Sequence, residues 1–269
     1  MKAEARRPIG IFDSGIGGLT VASAIHKLLP QESFIYFGDT AHLPYGEKSH
    51  DAIRYFSLRI CKFLLEKNCK AIVVACNSAS TAAYEVLLDF FKEKAIFVNV
   101  VDPLVDHCCS FSFTNIGLIA THATVQSGVY DKQFKKRNAQ LKLKSLATPL
   151  LAPMIEEGFV NNTISHSVIE NYLSDPILDG IEALLLACTH YPLIKQEIAE
   201  FYNPKIPILD STNVTAMALK TALKNKDLLC EEKIGEDQFF VSDYSENFLK
   251  TTKLFYPEAI DLKRMNIWE

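Results

Sequence analysis

Two cysteines stand where apolar runs give out: Cys76 closes "AIVVAC" and Cys188 closes "EALLLAC". Hydrogen-bonding residues follow each, Asn77 and Ser78 after the first, Thr189 and His190 after the second. A single buried strand-end cysteine is ordinarily a small hydrophobe. Two in matched contexts ask for a chemical reading, and three are open. Cys76, Cys188 and His190 together supply metal ligands, although no C-x-x-C or paired Cys/His spacing of a structural zinc site is present. One nucleophilic cysteine with His190 as its base performs acyl transfer, which leaves the second thiol idle. Two thiols facing across a cleft use both: one takes a proton from a carbon and the other returns one to the opposite face, inverting the centre.

"FDSGIGGLTV" carries glycines at 15, 17 and 18 between an apolar run and a helical pattern, the form of a phosphate-binding turn. The spacing is not G-x-G-x-x-G, and Asp13 at the strand tip repels a pyrophosphate. Asp13 is then either a helix cap or, with Ser14, part of the cysteine site. "FGDTAHLPYGEKS" contains a turn at Pro44 and Gly46, where glycine lets a ligand approach the backbone.

These residues need strand ends to hold them. Apolar, β-branched runs at 8–12, 33–38, 70–76, 95–101, 115–120, 182–188 and 205–210 alternate with helical patterns, which predicts an α/β fold with parallel sheets covered on both faces. Ile53, Phe56, Ile60 and Leu64 keep the spacing of a helix with one buried face, and Val168, Ile169, Tyr172 and Leu173 mark another. Gly10 in "IGIFDSG" precedes Cys76 by 66 residues, and Gly117 in "IGLIATH" precedes Cys188 by 71. The chain therefore reads as two similar halves, and ligands of open parallel sheets bind beyond the carboxyl ends of the strands. The expected organisation is two pseudo-symmetric, doubly wound parallel-sheet domains with the site in the cleft between them. Residues 1–98 plus 211–269 form the first and 99–210 the second.

At 269 residues and 48% hydrophobic content the chain fills ordinary cores. Its 28 Lys+Arg against 32 Asp+Glu give a formal charge of −4 without a basic stripe, so nucleic acid is not an expected partner. The run Ile9–Phe12 is too short for a signal-peptide core, and no stretch is long enough to span a membrane. Seven cysteines without framework spacing read as reduced thiols of a cytoplasmic protein, with Cys61, Cys69, Cys108, Cys109 and Cys230 structural.

"FDSGIGGLTV", "FGDTAHLPYG", "VVACNSAST", "VDP" at 101–103, "TVQSGVY" at 124–130, "PMIEEG" at 153–158 and "ACTHYPLI" at 187–194 occur in the order found in bacterial glutamate racemases. Over residues 8–213 the chain resembles that family, part of the cofactor-independent aspartate/glutamate racemase superfamily. The resemblance implies that Cys76 and Cys188 are the acid/base thiols, Cys76 acting on D-glutamate and Cys188 on L-glutamate, with Asp13 assisting the first and His190 the second. It places Ser14, Tyr45, Gly46, Asn77, Ser78, Thr121 and Thr189 around the substrate, together with Asp13 and His190. Glu157 is a further candidate, or Glu156 in its stead. It also implies glutamate as substrate, no cofactor or metal, a homodimer, and a role in supplying D-glutamate for peptidoglycan. Ser78, His42 and Ala120 depart from the family's usual threonine, arginine and glycine. An aspartate racemase and a non-catalytic binder of anions remain as alternatives.

Overall fold

The computed structural model describes residues 3–203, 205–244 and 246–269. In chain order, β1 (Ile9–Asp13), β2 (Phe34–Gly38), β3 (Ala71–Val74) and β4 (Ile96–Asn99) enter one sheet. β5 (Asn115–Ala120), β6 (Lys142–Ala147), β7 (Ala183–Ala187) and β8 (Ile208–Asp210) make a second, and β9 (Gln238–Val241) and β10 (Leu262–Arg264) return to the first. The helices are α1 (Leu19–Leu28), α2 (His50–Glu66), α3 (Asn77–Phe91), α4 (Val101–Cys109), α5 (His122–Gln126), α6 (Val129–Arg137), α7 (Leu151–Glu156), α8 (Thr163–Leu173), α9 (Lys195–Phe201), α10 (Thr212–Asn225) and α11 (Glu246–Phe255).

Every strand pairing among the described residues is parallel. The strand orders are β10-β9-β2-β1-β3-β4 and β6-β5-β7-β8, so β2-β1-β3-β4 of the first sheet repeats as β6-β5-β7-β8 in the second. The register repeats as well. Gly10 lies opposite Ile72 and Gly117 opposite Leu184, and each cysteine follows that partner by the same four residues. The matched spacing in sequence is thus a matched position in space, one thiol beyond the carboxyl end of β3 and the other beyond that of β7.

Both faces of each sheet are covered, as continuous apolar strands require. Ile9, Ile11, Tyr36 and Val73 face α1, while the alternate residues Phe12, Phe37, Ile72 and Val74 face Ile53, Ile60 and Leu64 of α2 and Leu87 of α3. Ile116, Leu118 and Leu185 pack on Leu104, Val105 and Phe134, and Leu184 and Leu186 face Ile155, Ile169 and Ile198 on the other side. One apolar cluster runs from Ile9 and Ile25 through Ile119 to Leu186, so the halves share core as well as a cleft. Burying each such side chain contributes roughly 1.5–3 kcal/mol, which is what holds the strand tips in fixed opposition. Among the described residues no helix is long and apolar enough to cross a membrane.

Candidate active site

β1 ends at Asp13, a carboxylate 1% exposed. Its Oδ2 accepts the backbone N–H of Gly18 at 2.8 Å and of Gly15 at 3.3 Å, so it closes the turn before α1 and does not cap the helix itself, whose N-cap is Gly18. Oδ1 is buried and has no partner. An orphaned buried oxygen is costly, and here it belongs to a residue lining the cleft. Burial pushes the Asp13 carboxyl above the ordinary value, while the charge of His190 and the Gly18 N–H pull the other way.

Cys76 is the N-cap of α3, and its sulfur accepts the N–H of Ala79 at 3.5 Å. Its thiol donates to Ser14 Oγ at 3.7 Å. A helix N-terminus ordinarily favours a thiolate. Burial and then the Asp13 charge prevail, and they hold this thiol well above its usual range, hence protonated. The next residue, Asn77, accepts the Tyr130 hydroxyl at 2.6 Å through Oδ1, and its Nδ2 is buried without a partner. Ser78 meets Thr121 across the cleft, Oγ to Oγ1 at 2.9 Å.

Cys188 has different company. His190 Nδ1 lies 3.6 Å from its sulfur, and Nε2 lies 2.8 Å from Glu156 Oε1 at the end of α7. Burial alone would lower the imidazole pKa. The hydrogen bonds to Cys188 and Glu156 more than offset it, so His190 sits well above its ordinary value and is an imidazolium donating to both neighbours. The two thiols are therefore electrostatically unlike: one stands beside a cation, the other beside a carboxylate.

Asp13, Ser14, Tyr45, Gly46, Cys76, Asn77, Ser78, Thr121, Cys188, Thr189 and His190, every residue expected around the site except Glu157, line one cavity of about 40 Å³. Glu157 is exposed and stands outside it; its neighbour Glu156 lines it. The correction follows from helix geometry, because successive residues near the end of α7 point about 100° apart and only Glu156 is turned towards His190. Leu43, Pro44, Ala152 and Pro153 complete the wall. Apolar wall residues carry no chemical signal of their own, and Tyr130, buried on α6 behind Asn77, gives no sign within "TVQSGVY" of the partner its hydroxyl finds. A cavity of this size holds about three waters. No cluster of three His, Cys, Asp or Glu side chains that could hold a metal ion occurs among the described residues.

Glycine is required where the halves touch. A Cβ on Gly17 would lie 2.4 Å from the His190 ring and 2.7 Å from Thr189 Oγ1, and one on Gly46 would lie 2.7 Å from Thr121 Cβ. Gly17→Ala must push the imidazole away from Cys188. The expected result is a roughly 100-fold fall in turnover, the scale of a 1 Å misplacement, with the thermal midpoint far less affected. Turnover and thermal unfolding measured on the same preparation check it.

A doubled α/β fold with unlike thiols at equivalent strand ends defines a class, and the sequence matches one. Residues 18–219 match the family model described as Asp/Glu/Hydantoin racemase, and the chain belongs to that family. Within it the chain is similar to enzymes named glutamate racemase: 38% identical to that of Geobacter metallireducens, over 93% of this chain and 92% of the relative, and 41% identical to that of Thermus thermophilus over 99% of both. The crystal structure of glutamate racemase from Francisella tularensis in complex with D-glutamate superposes with a TM-score of 0.92 at 35% identity, over 98% of this chain and 99% of that one. The protein is an isomerase of the racemase class.

Proposed function

We propose that the protein interconverts L- and D-glutamate by a two-base mechanism in which Cys76 and Cys188 act on opposite faces of the α-carbon. One observation carries it: two thiols at equivalent strand ends line a single cavity, each with a different proton partner. The relatives named for glutamate, and the D-glutamate bound in the Francisella structure, support the choice of substrate.

An α-proton is held far more tightly than a thiol proton, so the carbanion must be stabilised as it forms. The Asn77 amide N–H group without a partner, the hydroxyl groups of Ser78 and Thr189, and the amides at the start of α3 are donors near the cavity for charge developing on the α-carboxylate. Each well-placed donor contributes roughly 3 kcal/mol. His190, 3.6 Å from the Cys188 sulfur, is the proton partner of that thiol, while Cys76 waits protonated, the state that accepts L-glutamate. For D-glutamate the roles reverse: Cys76 must lose its proton, and Asp13, with its raised pKa and free Oδ1, is the group to take it. Closure of the halves excludes water that would protonate the carbanion indiscriminately. Residues 1–98 plus 211–269 would move against 99–210 in that closure. A cytoplasmic homodimer supplying D-glutamate for peptidoglycan is the setting this reading implies.

Incubation with L-glutamate or L-aspartate in deuterated water tests the substrate. Deuterium at Cα of glutamate with loss of optical rotation is the expected result. Exchange confined to aspartate would move the chain to that specificity, and exchange in neither would leave a binder.

A further inference from the structure

The loop after β2 is built from both sides. On its inner side Tyr45 and Gly46 line the cavity. At its root Asp39, fully buried, accepts the Tyr45 hydroxyl at 2.6 Å and the Ser242 hydroxyl at 2.9 Å, and its Oδ1 lies 2.9 Å from His42 Nδ1. The outer side is a column of rings. The His42 imidazole stacks on Phe56 of α2 with centroids 4.2 Å apart, and Phe56 stacks in turn on Tyr45 at 5.7 Å. Trp268 closes the column edge-on, 4.6 Å from His42 and 5.4 Å from Phe56.

Trp268 comes from the segment that follows β10. That segment is tied down at the Met265 N–H, which donates to the Val241 carbonyl at 2.8 Å, and at the Ile267 carbonyl, which accepts from the Arg59 guanidinium. The indole Nε1 is buried with no hydrogen-bond partner. A ring seated at the loss of its only polar contact is held there by its faces and edges. Those edges meet His42 and Phe56, the two rings that brace the substrate loop.

We propose that Trp268 is a positioning residue for substrate binding: docked on His42 and Phe56, it fixes the 39–48 loop so that Tyr45 and Gly46 meet glutamate already in place. The inference rests on the racemase reading, since the cavity is taken as the substrate site. Trp268 does not line the cavity, so it acts through the ring column and the Asp39 hydrogen bonds. Without it the loop must be ordered on binding, and immobilising side chains at that moment weakens affinity.

Trp268→Ala is expected to raise KM for both enantiomers about tenfold with kcat changed far less, and Trp268→Phe, which keeps a ring edge, is expected to restore KM. Trp268 is also the only tryptophan in the chain, so its emission reports the loop directly. In the wild-type enzyme saturating D-glutamate should leave that emission in place, whereas His42→Ala should shift it before ligand is added and make it respond to D-glutamate. Unchanged KM in Trp268→Ala, a loss confined to kcat, or a phenylalanine variant as impaired as alanine would each overturn the proposal. Should Trp268→Ala fail to fold, Trp268→Phe and the emission response decide. Wild-type protein that racemises nothing would sink the racemase reading instead, while a D-glutamate response of the emission confined to His42→Ala would still support the loop.

Discussion

Cys76→Ala and Cys188→Ala are each expected to lower racemisation by at least ~1,000-fold, the scale of losing a general acid or base in its entirety. A structural thiol of the same burial would behave differently. Removing one sulfur from a packed core costs stability and leaves turnover of the folded fraction intact. Here the folded fraction itself should be inactive. The two variants should also fail in different ways. With Cys76 gone, Cys188 still sits beside the His190 imidazolium and can take a proton from its own face and return it, so L-glutamate should slowly exchange its α-hydrogen with deuterated solvent while keeping its configuration. Cys188→Ala should show the mirror behaviour, with exchange in D-glutamate only. The proton NMR of each enantiomer, followed in deuterated water with a chiral assay of the product, reads both. Near wild-type turnover in either variant, or exchange in both enantiomers with one thiol, would defeat the two-base assignment.

The expectation of one-sided exchange rests on a repeat legible before any coordinates. The apolar runs ending at Cys76 and Cys188 are central strands buried on both faces, so their sequences are nearly continuous hydrophobics and stand out. β6 escaped notice because it is an edge strand: Lys142, Lys144 and Ser145 break its apolar pattern where one side meets solvent. β9 follows the polar stretch 231–238 and β10 reads Leu-Lys-Arg, so neither stands out as an apolar run. At the site, residues next to a strand end were legible because the strand fixes their direction. Partners reaching in from elsewhere were not. Tyr130 finds Asn77 only through the way the two halves meet, Glu156 finds His190 from another element of the same half, and the Trp268 contacts with His42 and Phe56 join residues far apart in the chain. Asp13 held two readings in sequence, cap and site carboxylate; one of its oxygens is spent on the turn N–H groups of Gly15 and Gly18 and the other is left without a partner, a division no sequence pattern displays.

His190→Asn carries the second large effect, and thermodynamics dictates where to look for it. L- and D-glutamate have equal free energy in water, so kcat/KM must fall by the same factor in both directions, about 100- to 10,000-fold for loss of a charged proton partner. Comparing directions by rate therefore reveals nothing. The α-deuterium isotope effect does. Without the imidazolium, forming the Cys188 thiolate and transferring a proton to it become the highest barrier, so the isotope effect on kcat/KM should grow for L-glutamate labelled at Cα and shrink for labelled D-glutamate. The pH profile supplies the sign check. His190 is raised in the folded protein, so its cationic form is complete below its ordinary value and is lost as pH rises through the raised one, giving wild type an alkaline limb. Asp13 is raised too, and as a proton acceptor it fails as pH falls through its own value, giving the acid limb. His190→Asn should erase or displace the alkaline limb and leave the acid one in place. An unchanged alkaline limb, or isotope effects that move together for both enantiomers, would mean that His190 packs beside Cys188 without serving it.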